Sequence, residues 1–291
     1  MTFLLQRSLW TGLSGLLALS LTAHAQPVEP AQTPNATTSE PSASASQGLS
    51  AAGPFWQWST SAGFNHYREP SVGMRVRGPE LGLHLRVRDV PHWPRWQAEG
   101  DVLGSLQRYD SPSGRLDKVE NLESRWRLLY QAWPEGAQGL FVGPAVHTLY
   151  NDLRGITNLG AAGYQRESLG LWLALQWRQP LSSDGALSAL SGLQLDAGRL
   201  IRARHHSYLS QAVRNYPDIG NTQRHGFYVQ AQLGFKAHAL LLQPFVRFTQ
   251  LEDSESTTVP FNGRTASGSL TGIEPANQRW QIGLQVTWPE R

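Results

Sequence analysis

The chain of 291 residues has no cysteine, only two methionines and only two lysines, Lys118 and Lys236. The missing cysteines exclude a disulfide framework, a thiolate metal site and a cysteine nucleophile. Charge is scarce too: Asp, Glu, Lys and Arg together make 16%, against about 25% in a typical soluble domain. The arginines are spread singly along the chain and not gathered into a stripe, which argues against nucleic acid as a partner. Mean hydropathy is −0.37, too low for a bundle of membrane helices. What is plentiful is aromatic or small, with 11 Trp, 9 Phe, 8 Tyr and 28 Gly. This balance fits a β-rich protein of a Gram-negative envelope.

Residues 1–25 read as an export signal: Arg7, an apolar run from Leu9 to Leu21, then Ala23-His24-Ala25 before Gln26. These are a short positive region, an apolar core and an A-x-A cleavage site. Thr11, Gly12, Ser14 and Gly15 interrupt the run, whereas a membrane-spanning helix needs about 20 apolar residues. No cysteine follows the site, so no lipoprotein anchor is expected. Residues 26–53, rich in Pro, Ala, Ser, Thr and Gln, offer too little apolar surface to offset the entropy of ordering. They read as a disordered periplasmic linker, and 54–291 as one domain.

From Phe55 onward the dominant period is two. Leu169, Leu171, Leu173, Leu175 and Trp177 alternate with Gly170, Trp172, Ala174, Gln176 and Arg178. The same pattern recurs in Leu81–Val87, Phe227–Phe235 and Trp280–Trp288. Alternate side chains of a strand share a face, so one wall is apolar and the other polar. The alternations run longer than the five or six residues usual for soluble strands, with aromatics near their ends, which is the transmembrane β-barrel pattern. The predicted fold class is all-β, a ten-stranded antiparallel transmembrane β-barrel (eight to twelve strands allowed). Its strands are 55–66, 78–89, 95–108, 119–133, 140–150, 166–179, 191–203, 224–236, 239–250 and 278–288. The connections 67–77, 109–118, 151–165, 204–223 and 251–277 are then the longer set and belong outside. Those at 90–94, 134–139, 180–190 and 237–238 belong to the periplasm.

The inward faces carry Arg86, Arg88, Arg125, Arg127, Arg178, Lys236 and Arg247 against Glu99, Asp101, Glu123 and Asp196. Facing residues of an antiparallel pair have a constant index sum. Centring the turns near 92.5 and 113 predicts two rows, Arg86–Glu99–Arg127 and His84–Asp101–Arg125. Opposite charges at facing positions stabilise a strand pair. The rows read as a salt-bridged filling of a narrow lumen, and the competing reading is an acid–base pair of His84 with Asp101. Glu123 is expected toward the wider outer end, facing water.

Catalytic motifs are weak. His205-x-Ser207 resembles the His-x-Ser of outer-membrane lipid A deacylases. That family has eight strands, the motif near the C-terminus and an Asn after the Ser, whereas Tyr208 follows here. Omptin proteases also use ten strands, but their paired acids and Asp-His have no counterpart on these strands. Asp152 and Asp218 are loop acids without an assigned partner. No catalytic residue, cofactor or metal site is assigned.

An order of segments resembles the porin-like outer-membrane β-barrel proteins of proteobacteria. It comprises Tyr67-Arg68-Glu69-Pro70 with Met74 and Gly78, Ala98-Glu99-Gly100 with Tyr109-Asp110, and Leu149-Tyr150-Asn151-Asp152 before Gly163-Tyr164-Gln165-Arg166-Glu167-Ser168. Gln243-Pro244-Phe245-Val246-Arg247-Phe248 and Glu274-Pro275 complete it. The likeness covers roughly 55–288. It implies the barrel and an outer-membrane location and carries no activity. Pro289-Glu290-Arg291 after Trp288 departs from it, since such barrels commonly end on an aromatic residue. The function expected is a structural or surface-interaction role through extracellular loops, over a largely charge-plugged lumen. The alternatives are a narrow porin for small solutes and a hydrolase of the lipid A deacylase or omptin type. The partners expected are outer-membrane lipid and lipopolysaccharide, the barrel-assembly machinery through the C-terminal strand, and an unidentified extracellular ligand.

Overall fold

A computed structural model describes residues 55–88, 90, 92–133, 139–181, 189–262 and 267–288. The signal, the linker and Pro289-Glu290-Arg291 lie outside them. The described chain is all-β, with strands β1 (Phe55–Glu69), β2 (Met74–Arg88), β3 (Trp96–Ser111), β4 (Gly114–Trp133), β5 (Gly139–Asp152), β6 (Gln165–Pro180), β7 (Leu190–Ser207), β8 (Ile219–Gln223), β9 (Gly226–Ala237), β10 (Leu240–Leu251), β11 (Thr257–Asn262), β12 (Ser267–Gly272) and β13 (Asn277–Thr287). Ten of them close a ring in the order β1-β2-β3-β4-β5-β6-β7-β9-β10-β13, and β13 pairs with β1 to seal it. Every pairing is antiparallel. β8 continues the edge of β7 above β9, and β11–β12 is a separate hairpin within the last long connection.

The wall inverts the burial of a soluble protein. Leu81 is 68% exposed and Ile282 61%, while Gln176 and Gln281 are 1% and 2% exposed. Apolar side chains face out and amides face in, as a strand must be built when its outer medium is lipid. Aromatic pairs mark both edges of the apolar belt. Phe227, Phe248 and Trp280 touch in sequence at one end, with ring centroids 5.8 and 4.6 Å apart, and Trp93, Trp96 and Tyr130 at the other, 6.2 and 5.3 Å apart. Amphipathic rings favour that depth.

Two of the expected outer connections, 67–77 and 109–118, are not loops. β1 runs on to Glu69 and turns through Pro70–Gly73 into β2, and β3 and β4 are joined by Pro112 and Ser113 alone. Gly73 (φ 69°) and Gly114 (φ 115°) supply positive backbone angles that make these turns compact. Above the belt the outward residues are charged, so the alternation loses its apolar signature while the strand continues. The long connections are 153–164, 208–225 and 252–276, all at one end, termed here the outer end. One further departure is a β-bulge. The register between β6 and β7 shifts after Leu171, so that Ile201 is the extra residue. Gln194 and Asp196 point inward below it and Ala203, His205 and Ser207 above it, which leaves Arg202 and Arg204 on the outside.

Leu284 faces lipid midway between Trp280 and Trp288, flanked in register by Ala62 and Pro244, and an arginine there costs about 2–4 kcal/mol. Leu284→Arg should therefore lose that much unfolding free energy in lipid vesicles. Leu159→Arg, at an exposed position in the 153–164 connection, should change it by less than about 0.5 kcal/mol. Equal losses at the two positions would remove the assignment of the belt.

Candidate functional site

The lumen is filled mainly by layers of charged and amide side chains, beside a buried apolar cluster that includes Leu129, Trp172, Leu200 and Tyr228. In the layer nearest the short connections, Glu99 on β3 accepts bonds from Arg86 Nε (2.8 Å), Arg127 Nη2 (2.5 Å), Arg178 Nη2 (2.8 Å) and Gln97 Nε2 (2.7 Å). Asp196 on β7 accepts from Arg127 Nη1 (3.2 Å), Gln176 Nε2 (2.8 Å) and Gln194 Nε2 (2.8 Å). Arg86 Nη2 also donates to Gln194 Oε1 at 3.2 Å. β2 and β7 are five places apart in a ring of ten, so this bond spans the diameter.

The row Arg86–Glu99–Arg127 is thus a direct chain of ion pairs in the facing register. The second row is only half connected. His84 Nδ1 and Asp101 Oδ1 are 2.8 Å apart, and His84 Nε2 lies 2.8 Å from Ser61 Oγ. Arg125 faces Asp101 in register, but its guanidinium turns toward the outer end to Glu123 Oε1 and Gln281 Oε1, each at 2.5 Å. Glu123 does not face water, contrary to the sequence expectation: it is 6% exposed and pairs with both Arg125 and Arg279. Arg279 also binds Glu80 at 2.9 Å. Lys236 and Arg88, expected in the lumen, lie exposed at its mouth near the short connections. A void of about 40 Å³ remains beside Ser59, His84 and Gln285. It has room for about three waters at 10–15 Å³ each.

At the outer end Arg166 on β6 pairs with Glu69 on β1 at 2.7 Å and with Glu274 from the last long connection. β1 and β6 are again five places apart, so this is a second tie across the diameter. Tyr67 donates to Glu69 Oε1 at 2.6 Å. Above this floor opens a vestibule of about 470 Å³. Its walls are mostly apolar, from Met74, Tyr109, Leu116, Leu153, Ile219 and Ile273. The walls are braced. Thr157 Oγ1 donates to the Ser113 carbonyl (2.7 Å), Asn221 Nδ2 to the Gly272 carbonyl (3.0 Å), and the Glu274 amide to Ser254 Oγ (2.7 Å). Burial pushes the phenol of Tyr164, in the 153–164 connection, above its ordinary pKa, which keeps it a neutral donor in the wall.

His205 and Ser207 point inward, where His205 Nε2 meets Gln223 Oε1 at 2.7 Å and Ser207 lines the vestibule. Neither is on the outer wall. Asp152 is bonded by Arg154 (2.5 and 2.9 Å), and Asp218 accepts from the Ser210 amide (3.0 Å). The vestibule floor was missed in the sequence because Glu69 and Glu274 fall in segments read as connections. Glu80 and Arg279 share the inward parity of their neighbours and could have been found by extending it.

Closed by its own strands and apolar outside, the molecule is a transmembrane β-barrel. No family model matches the chain, and no curated protein matches its sequence. Three solved structures similar to it are far in sequence. The outer membrane protease OmpT from Escherichia coli is 7% identical, over 81% of this chain and 95% of that one, with a TM-score of 0.47. The β domain of the Bordetella autotransporter BrkA is 13% identical, over 81% and 99%, with a TM-score of 0.41. Neisserial surface protein A from Neisseria is 9% identical, over 82% and 100%, with a TM-score of 0.29.

Breaking a buried ion pair from one side costs about 3–5 kcal/mol. Glu99→Gln and Glu123→Gln should each lower stability in detergent by that order. Glu255→Gln, whose pair with Arg224 is half exposed, should cost under about 1 kcal/mol. A Glu123→Gln barrel as stable as wild type would show that its arginines find water instead.

Proposed function

We propose that the protein is an outer-membrane barrel whose lumen is a structural plug and whose role lies at the cell surface. There the vestibule binds a small amphipathic molecule carrying a positive charge. One observation carries the reading: the two ties across the diameter, Arg86–Gln194 and Glu69–Arg166, lie below an open space of about 470 Å³. Binding pockets are commonly of this size, apolar in the main, with a few convergent polar groups.

The floor selects the charge. Two carboxylates, Glu69 and Glu274, share one guanidinium, Arg166, which leaves one negative charge in excess in a poorly solvated place. Glu69 is 3% and Glu274 5% exposed, so an ammonium group bonded to them is worth more there than in water. The apolar walls take the body of the same molecule. Around the barrel the belt is set in outer-membrane lipid and lipopolysaccharide. β13, the C-terminal strand, is the segment presented to the barrel-assembly machinery.

Two measurements test this. Proteoliposomes carrying the barrel should not swell in a small sugar, and swelling at porin rates would make the narrow-porin reading the better one. In nanodiscs, phenethylamine should bind and 3-phenylpropionate, which has the opposite charge, should not. A charge-assisted hydrogen bond is worth about 1.5–3 kcal/mol, so Glu274→Gln should weaken the amine about tenfold or more. Equal binding of amine and carboxylate would end the proposal for the floor.

A further inference from the structure

Just beyond the apolar belt at the outer end, three neighbouring strands send basic side chains outward, away from the lumen. β1 contributes His66 and Arg68, β2 contributes Arg75 and Arg77, and β3 contributes Arg108. They follow directly after the last apolar outward positions, Phe64, Pro79 and Leu106. The register sets Arg68 opposite Arg75, and Arg77 between His66 and Arg108. Facing positions lie about 4.5–5.5 Å apart at Cβ, and like charges there are destabilising.

Among the described residues the centre of this patch carries no ion pair: no acid pairs with Arg68, Arg75 or Arg77, and Arg68 donates to the neutral Gln278 at 2.9 Å. The nearby acids are engaged elsewhere: Asp110, which faces Arg75, is 3.3 Å from Arg115, and Asp117 is 3.3 Å from Arg108. The lumen of the same molecule ties arginine to carboxylate layer upon layer. On the outside, Arg68, Arg75 and Arg77 have no ion pair among the described residues, and Arg108 has only the exposed Asp117.

Height and direction identify what completes them. Trp280 on β13 faces His66 across the β1–β13 pair and belongs to the aromatic edge of the belt, so the arginines stand at headgroup level. The patch looks sideways along the membrane plane, and its occupant arrives from the leaflet. We propose that the arginine pairs Arg68/Arg75 and Arg77/Arg108 bind the phosphate groups of an outer-leaflet glycolipid, the lipopolysaccharide of the surrounding membrane. Planar guanidinium groups suit phosphate by paired hydrogen bonds. The inference rests on the membrane placement proposed above and not on the vestibule.

The test uses the purified full chain in a zwitterionic detergent, with diphosphoryl lipid A, phosphatidylcholine and inorganic phosphate as separate probes. Diphosphoryl lipid A should raise the unfolding temperature of wild type, and the other two should leave it unchanged. The double variant Arg68→Gln/Arg75→Gln should unfold at a higher temperature than wild type without lipid, because the repulsion is relieved. It should bind lipid A at least tenfold more weakly. Arg224→Gln, removing an arginine of the outer connections that is paired with Glu255, should bind as wild type does. Undiminished lipid A binding by the double variant overturns the proposal, as does equal stabilisation by phosphatidylcholine. Stabilisation by inorganic phosphate makes the patch a soluble-anion site and overturns it too. Membrane fractionation of cells expressing the full chain reads the placement separately. A chain absent from the outer membrane removes both readings, whereas a failed lipid A result removes only this one.

Discussion

A backbone surrounded by hydrocarbon has no water to satisfy its amides and carbonyls, so a sheet in that medium must close on itself. The seal here is the β13–β1 pairing, ten facing pairs from Ser59 with Thr287 to Arg68 with Gln278. Closure turns every strand into a two-sided element, one face to lipid and one to a narrow interior. The outer face is then restricted to apolar and aromatic residues. The inner face takes most of the polar side chains of the belt, and with only ten strands they must fill the space they enclose.

Filling a lumen with ionised groups is costly unless each is bonded, since an unpaired charge out of water loses several kcal/mol of solvation. The interior meets this by sharing. Glu99 takes three guanidinium groups, Arg127 bridges Glu99 to Asp196, and Arg279 bridges Glu80 to Glu123. Glutamines fill much of the remaining space. Because several of these bonds reach strands on the opposite side, the same network that satisfies the charges also obstructs the passage. The bonds that satisfy the charges and the bonds that cross the lumen are thus the same.

The two ends differ for the same reason. Near the short connections the ion-paired side chains occupy most of the lumen. At the outer end the strands of β1–β4 rise past the belt and the connections fold inward on Leu153, Ile219 and Ile273, which encloses space above the Glu69–Arg166 tie. Outside, at the same height, the medium changes from hydrocarbon to headgroups, and arginine replaces leucine on the outward positions. The vestibule and the basic patch are the inner and outer faces of one stretch of wall.

The period of two was enough to read the barrel from the sequence, including ten strands and the facing of Glu99 with Arg86 and Arg127, because parity and index sums are local and survive any bending of the sheet. The belt was legible for the same reason, since lipid imposes one chemistry on all outward positions between the aromatic edges. Beyond the belt that uniform medium ends, and the sequence no longer distinguished a continuing strand from a loop at 67–77 and 109–118. The bulge at Ile201 was invisible too, as one extra residue reverses parity without altering composition. Which partner a long side chain takes was decided only by the tertiary structure. Arg125 faces Asp101 in register but reaches Glu123 and Gln281, because a guanidinium on a long side chain can serve neighbouring layers, and the closed ring decides which acid lies within reach. Glu69, Arg166 and Glu274 likewise become one floor only when β1, β6 and the last long connection meet across the barrel. No local pattern in the chain encodes that meeting.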